Sequence, residues 1–193
     1  SGRSLFRAFT ARTRINNRWT NINAYLTLSK SLSDDDNERN ASALYYEHSF
    51  NLASEYGLAR LDRKVQFVAN PVFFLPHGFE VSSAIRLRSG LPLDAIVGAD
   101  ANADGNNNDR PYLTPGIPMP RNSFRNNAEF GVDVRAQKGF GFGEGRRLIF
   151  STEIFNVFNN ANIQYGGNQE LYCASADRTA ACGLNGQTNT TFM

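Results

Sequence analysis

Residues 20–29 read TNINAYLTLS, and apolar side chains occupy every second position from Ile22 to Leu28. This alternation is typical of a β-strand, because successive side chains of an extended chain point to opposite faces. Residues 79–89 and 128–137 alternate in the same way, and three further stretches do so less regularly. The pattern predicts six strands, near residues 5–15, 20–32, 64–75, 79–93, 128–140 and 147–158.

The composition argues against two classes of protein. The 193 residues carry 20 basic and 18 acidic side chains, a formal charge of +2, and the basic residues are scattered. A charge so small and so dispersed does not indicate a nucleic-acid surface. The longest apolar stretch without charge, residues 65–79, is shorter than the roughly 20 residues that a membrane helix needs. We therefore expect no nucleic-acid partner and no membrane-spanning helix.

The connections between the predicted strands alternate between short and long. Turns rich in Asn, Pro and Gly follow the first, third and fifth strands, and these residue types favour tight turns. The short turns are residues 16–18, 76–78 and 141–145, and the long segments are residues 33–62, 94–127 and 159–193. Outer-membrane β-barrels show this asymmetry, with short periplasmic turns and long extracellular loops.

The predicted fold class is therefore all-β: a fragment of an antiparallel up-and-down transmembrane β-barrel, with about six strands in three hairpins. Six strands do not close a barrel, because the smallest single-chain barrels have about eight. More strands are expected outside this sequence. The alternative is a soluble β-sandwich in which the phenylalanines fill a core.

In a barrel, the two faces of each strand meet different surroundings. The polar side chains would face the lumen, and the candidates are Lys64, Arg86, Arg88, Asp133, Arg135 and Glu153. The alternative role for any of them is to pair across neighbouring strands as wall structure. An aromatic girdle at the lipid interface is expected near the short turns, formed by Trp19, Phe73, Phe74, Phe79, Phe140 and Phe142.

One loop has the early spacing of a calcium-binding loop. Its side-chain oxygens belong to Asp100, Asn102, Asp104, Asn106 and Asp109, and Gly105 occupies the sixth position. Ca²⁺ prefers six to eight oxygen ligands. Position 12, however, is Pro111 rather than a bidentate glutamate, and Asn/Asp/Gly runs are common in ordinary loops. Ca²⁺ is therefore a possible cofactor, and a self-hydrogen-bonded loop is the alternative.

The remaining reactive residues are few. Cys173 and Cys182 are the two cysteines of the chain, and in an oxidising compartment they are expected to form a disulfide that closes the last loop. Reduced thiols or metal ligands are the alternative. His48 and His77 are the two histidines, and no GxSxG motif accompanies them. A nucleophilic triad needs a placed Ser or Cys beside a histidine, so we expect no enzymatic activity.

Four motifs in order carry a family resemblance. They are AYLTLSKS at 24–31 before Asp34-Asp35; LDRKVQFV at 61–68 with FLPHG at 74–78; SGLP at 89–92; and FGFGEGRRL at 140–148 leading to EIFNVFN at 153–159. Together they resemble the C-terminal barrel part of TonB-dependent outer-membrane receptors, particularly the Oar-like group with a carboxypeptidase-regulatory-like N-terminal domain. The resemblance covers most of residues 3–165.

The resemblance implies a receptor in the cell outer membrane of a Gram-negative bacterium that binds and imports an extracellular substrate. Its partners would be the lipid bilayer, the unknown substrate, and TonB through a missing N-terminal part. Residues 1–193 would be the C-terminal part of the barrel, truncated at both ends, with a tail loop at residues 159–193. The alternative function is a secreted or surface β-sheet binding module with a Ca²⁺-ordered loop.

Overall fold

The computed structural model describes residues 2–35, 46–47, 51–143, 145–165, 170–173 and 177–178. This part of the chain is all-β and mostly antiparallel, as the alternation predicts, with single 3-10 turns at Leu52–Glu55 and Pro76–Gly78. None of its helices is long and apolar enough to cross a membrane. In chain order the strands are β1 (Ser4–Asn16), β2 (Thr20–Ser33), β3 (Gly57–Leu58), β4 (Val65–Leu75), β5 (Phe79–Arg88), β6 (Pro92–Ile96), β7 (Tyr112–Thr114), β8 (Ile117–Pro118), β9 (Phe124–Arg125), β10 (Glu129–Phe142), β11 (Arg146–Ile154) and β12 (Glu170–Tyr172).

The six long strands form one open antiparallel sheet, which we call the wall sheet. Its order is β1-β2-β4-β5-β10-β11, and β3 pairs with the end of β2. Tight turns join β1 to β2, β4 to β5, and β10 to β11. In the first turn the Asn17 side-chain oxygen accepts the N–H groups of Trp19 and Thr20 at 2.9 and 3.0 Å. This local bond explains why asparagine favours the turn.

The two faces of the wall sheet differ in chemistry. Residues directly opposite in antiparallel strands share a face, so the register joins Ala11, Leu26, Phe67, Leu87 and Phe130 into one apolar row. Large apolar side chains exposed on this apolar face are Leu5, Phe9, Ile15, Leu28, Phe73, Leu75, Phe79, Leu87, Phe140, Phe142, Leu148, Phe150 and Ile154. They are exposed rather than packed in a core, which disfavours the soluble sandwich.

The aromatic residues near the short turns follow the same register, with one correction. Phe73, Phe79, Phe140 and Phe142 lie on the apolar face. Phe74 lies on the opposite, polar face, because side chains alternate along a strand and Phe74 pairs with Glu80. Trp19 lies in the first turn, where the Arg18 guanidinium is 4.3 Å from the centre of its ring.

The long connections fold into a second unit, which we call the loop layer. It comprises the described residues between β2 and β4, between β5 and β10, and from residue 170 onward. β6 lies between β12 and β9 in a three-stranded sheet, and β7 pairs with β8. Ala95 and Met119 form its small apolar core, with Phe124 and Cys173 packed against them. Most of the buried side chains belong to this layer rather than to the wall sheet.

Two predicted strands are too long. The predicted strand at 79–93 ends at Arg88, and Pro92–Ile96 joins the sheet of the loop layer instead. Gly90 lies between the two segments, and a Cβ there would come within 1.8 Å of the Asn126 carbonyl oxygen, so the chain packs closely against the Asn126 backbone at this point. The predicted strand at 147–158 ends at Ile154, because Asn156 adopts a left-handed conformation with φ 50°. The other four strands lie within two residues of the predicted bounds.

Candidate functional site

The polar face of the wall sheet, across β5, β10 and β11, gathers most of the side chains predicted to face the lumen. Arg88 lies opposite Glu129, and Arg135 lies opposite Glu153. Alternation along β5 and β10 places Arg86 and Asp133 on this same face. Lys64 is exposed one residue before β4, and its carbonyl oxygen accepts the Ser29 N–H at 3.1 Å. The candidates therefore share one surface, although Lys64 lies at its margin.

Cross-strand ion pairs account for most of these charges. Arg86 donates to Asp133 at 3.0 Å, and Arg135 lies 3.5 Å from Glu153. Arg63, which sequence patterns did not single out, donates to Glu129 at 2.6 Å. In the described part of the chain, Arg88 has no ion-pair partner, and its Nε atom is buried without a hydrogen bond. Wall structure thus accounts for four of the six candidates, whereas Arg88 retains unused hydrogen-bond donors.

Two shallow pockets lie side by side on this face. The first, of about 290 Å³, is lined by Arg86, Arg88, Glu129, Phe130, Gly131, Asn162 and Gln164. The second, of about 270 Å³, is lined by Ser82, Ser83, Ala84, Asp133, Val134, Arg135, Glu153 and Phe155. Gly131 in the first pocket borders open space, because a Cβ there would meet nothing within 4 Å. These linings offer guanidinium, carboxylate, amide and hydroxyl groups, which suit reversible binding of polar solutes.

Asparagine side chains beyond β11 line the first pocket and form hydrogen bonds with the backbone of β10. The Asn162 amide accepts the Phe130 N–H at 2.8 Å and donates to the Phe130 carbonyl at 3.0 Å. Asn160 donates to the same carbonyl at 3.1 Å, and Asn156 donates its N–H to Asp133 at 2.9 Å. The Asn160 and Asn162 side chains thus satisfy the backbone groups of Phe130, which β11 leaves unpaired, and the Asp133 carboxylate satisfies the Asn156 N–H. Sequence reasoning missed them, although the asparagine-rich run at residues 156–162 was a visible signal.

A buried network of charges joins separate loops of the loop layer. Arg110 donates from its guanidinium to both oxygens of Glu55, at 2.6 and 3.1 Å, and from its N–H to Glu47 at 2.9 Å. All three residues are at most 3% exposed. The bidentate geometry favours a strong, directional pair. Arg110 lies 55 and 63 positions from its two glutamate partners, so no local sequence pattern could have identified the network.

Arg178 extends this network to the last connection. Its guanidinium pairs with Glu47, lies 3.7 Å from Asp109, and donates from Nε to the Arg110 carbonyl at 3.0 Å. The same group lies 4.2 Å from the centre of the Tyr112 ring, within cation–π distance. Burial lowers the pKa of Arg178, because a low-dielectric site disfavours the charged form. The three long connections are therefore held together by charge.

Asp94 in β6 is a carboxyl group whose protonation is strongly altered. Burial raises the pKa of Asp94 to about 6, although Arg110, the Asn122 N–H and Arg121 act in the opposite direction. Asn122 donates that N–H to Asp94 at 3.1 Å from a left-handed backbone conformation. Asp94 is thus only partly compensated, and its ionisation near neutral pH opposes the packing of the loop layer.

The predicted calcium loop is held by hydrogen bonds of its own. Asp100 accepts the N–H groups of Asp104 and Gly105 at 3.0 and 2.9 Å, and Asp109 accepts that of Asn102 at 2.8 Å. Asn106 donates its N–H to Asp104 at 2.9 Å. Among the described residues, no three His, Cys, Asp or Glu side chains are grouped to hold a metal ion. The self-hydrogen-bonded alternative accounts for this geometry, and Ca²⁺ binding stays a prediction.

The cysteines and histidines are only partly described. Cys173 is disulfide-bonded and packs against the core of the loop layer. Cys182 lies outside the described residues, so its predicted pairing with Cys173 stays a prediction. His48 also lies outside them. His77 is exposed in the turn between β4 and β5, with a left-handed φ of 61°.

Comparison with known proteins gives one match. A family model described as an outer membrane beta barrel domain matches residues 2–119, which is more than half of the chain. The matched segment contains β1 to β8, and thus four strands of the wall sheet and much of the loop layer. No curated protein and no solved structure shows a significant similarity to the chain.

Proposed function

The chain belongs to the outer membrane beta barrel domain family and is located in the outer membrane, and from this premise we propose that it forms part of the barrel wall of a TonB-dependent receptor. Such a receptor binds a substrate outside the cell and imports it. The observation that carries the proposal is the division of the wall sheet into an exposed apolar face and a charged polar face. A lipid-exposed barrel that encloses an aqueous lumen requires this division.

The polar face supports a transport role over a purely mechanical one. Its two pockets adjoin one another and are lined by groups that can exchange one polar partner for another. Arg88 is the clearest candidate for contact with a solute or a plug, because it lines the first pocket and has no ion-pair partner within the described residues. The paired residues Arg135 and Glu153 would hold the wall together while remaining accessible to the lumen.

The loop layer supports a receptor role. The long connections carry their own sheet, an apolar core and a buried charge network, so they form a preorganised surface. A preorganised surface binds a ligand at lower entropic cost than a set of independent loops. In the proposed orientation this layer faces the outside of the cell and makes the first contact with the substrate.

The mechanism in this proposal involves no bond-making chemistry. The substrate binds the loop layer, a plug in the N-terminal part rearranges when TonB acts on it, and the solute passes along the polar face. The sequence motifs at residues 24–31, 61–68 and 140–148 support the assignment to the TonB-dependent, Oar-like group by resemblance.

Labelling of adjacent residues tests the proposed orientation of the two faces. Ser151 and Thr152 are neighbours on β11, both exposed, and they pair with Gln137 on the polar face and Ala136 on the apolar face. In outer membranes, Ser151→Cys should react with a water-soluble maleimide and Thr152→Cys should not, because lipid covers it. Both variants should react after denaturation. Equal labelling of both in the native membrane would contradict the barrel wall.

A second experiment tests the TonB assignment separately. The whole receptor, purified in detergent, should be captured by the isolated periplasmic domain of TonB. A receptor whose N-terminal extension has been removed should serve as the negative control. If the opposed labelling of β11 is observed but TonB fails to capture the receptor, the barrel wall stands and the TonB assignment fails.

A further inference from the structure

The apolar face of the wall sheet carries charge only at its margins. The register assigns four charged residues to this face, Arg7, Lys30, Lys138 and Arg146, and all four are cations. On the described strands no Asp or Glu lies on this face. On a strand surface that faces lipid, a cation is costly at the bilayer centre and tolerated near the interfaces, so the positions of these cations mark the two margins of the apolar face.

Arg7 and Lys30 are the most unusual of these cations. They occupy directly opposite positions on β1 and β2, where Cβ atoms are about 5 Å apart, and both are exposed. Like charges in opposite positions destabilise a sheet. Neither side chain has an ion-pair partner in the part of the chain that the structure describes. By contrast, Lys138 lies 4.3 Å from the centre of the Phe79 ring, which stabilises its charge.

Apolar side chains surround this pair on the same face. Leu5 and Leu32 lie opposite one another on one side, and Phe9 and Leu28 lie opposite one another on the other. Phe9 is 64% exposed. The local chemistry is therefore that of two adjacent positive charges between exposed hydrocarbon groups. A ligand that matches it has an anionic head joined directly to apolar chains.

We propose that Arg7 and Lys30 bind the phosphate group of an anionic membrane lipid at the long-loop margin of the apolar face. One phosphate can accept hydrogen bonds from both side chains at once, which converts a repulsive pair into a neutralised cluster. The acyl chains of the lipid lie against Leu5, Leu28, Leu32 and Phe9. The pair is three residues from the start of β1 and from the end of β2, a depth that suits a headgroup rather than the bilayer centre. The proposal depends on the membrane-facing orientation of the apolar face but not on transport or TonB.

Native mass spectrometry of the whole receptor provides the test. Detergent-solubilised receptor is titrated with phosphatidic acid, and with phosphatidylcholine of the same acyl chains. The test variant is Arg7→Gln/Lys30→Gln. The matched control is Arg12→Gln/Arg14→Gln, which removes the same charge from exposed positions on the polar face of β1, opposite Tyr25 and Asn23. Heat-dependent electrophoretic mobility verifies that each variant is folded.

The expected result is a preference of the wild type for phosphatidic acid that the test variant loses and the control retains. Near a lipid surface each cation is worth about 1 kcal/mol, or roughly fivefold in affinity, so the double substitution should reduce binding by an order of magnitude or more. Arg7→Lys should retain the preference, and it keeps the experiment decisive if the double variant does not fold. Three results would overturn the proposal: no preference in the wild type, equal losses in both double variants, or displacement of the lipid by equimolar inorganic phosphate.

Discussion

The wall sheet and the loop layer place their polar and apolar groups in opposite ways. In the wall sheet, phenylalanines such as Phe9 and Phe150 are more than 60% exposed. In the loop layer, Glu47, Glu55 and Arg110 are at most 3% exposed, and the apolar core is small. The exposed part of the chain is thus rich in hydrocarbon, and much of the buried part is ionic.

This contrast follows from the solvent that each unit meets. A lipid-facing sheet gains nothing by hiding its phenylalanines, because hydrocarbon is their preferred surroundings. In the proposed orientation the loop layer lies beyond the lipid. It has only a small apolar core, so paired charges help to specify its structure. A buried ion pair adds little net stability, but removing one partner is costly. Removing a buried charge should therefore destabilise the loop layer, whereas adding a charge to the apolar face should destabilise the wall sheet.

The largest loss of stability is expected for Arg110→Ala in the loop layer. The substitution leaves the Glu55 carboxylate buried without its bidentate guanidinium partner, which should cost about 3–5 kcal/mol, whereas Glu47 keeps the backbone N–H of residue 110 and the Arg178 guanidinium. Hydrogen exchange at the Val97 N–H, which donates to the Asp109 carbonyl at 2.8 Å, reports the opening of this layer. Arg12→Ala on the exposed polar face of β1 is the control, and it should change stability by less than about 0.5 kcal/mol. Similar protection in both variants would show that the buried charges do not hold the layer together.

A charge on the apolar face of the wall sheet should have the next largest effect. Leu26 lies near the middle of β2 in an all-apolar row, and Thr27 lies on the polar face. Leu26→Lys should lower the free energy of unfolding from lipid bilayers by about 2–4 kcal/mol, whereas Thr27→Lys should lower it by at most about 1 kcal/mol. Equal losses of unfolding free energy in the two variants would mean that both faces of the wall sheet meet the same solvent. The difference in surroundings inferred for the wall sheet and the loop layer would then be wrong.

The sequence predicted the wall sheet far better than the loop layer, for a physical reason. Strand alternation is a local property, so the bounds of β2 and the shared face of Arg86 and Asp133 could be read from neighbouring residues. The ion pair of Glu47 with Arg178 joins residues 131 positions apart, and no periodicity encodes it. Within the sheet the pattern failed at three places: at the close approach of Gly90 to the Asn126 backbone, at the left-handed Asn156, and at Phe74, which lies on the polar face.

The pH dependence of the loop layer should follow the ionisation of Asp94. Its folded pKa of about 6 lies above the ordinary value of 3.8, so between these values the unfolded chain binds fewer protons than the folded one. Stability should therefore fall as pH rises from about 4 to about 6, by at most about 3 kcal/mol. Asp94→Asn retains an oxygen that can accept the Asn122 N–H, and it should remove this dependence from hydrogen exchange at β6. A stability that rises over the same range in both proteins would contradict the assignment to Asp94.

The smallest effect is expected for the ion pair between Arg135 and Glu153 on the polar face. The two side chains lie 3.5 Å apart, and each is nearly half exposed. A double-mutant cycle with Arg135→Gln and Glu153→Gln should give a coupling energy below about 0.5 kcal/mol, because water screens both charges. The size of this coupling reports whether water reaches the polar face in the whole receptor. A coupling energy above about 2 kcal/mol would mean that another part of the protein covers the pair and excludes water from it. The polar face would then lie against a packed element instead of an open lumen.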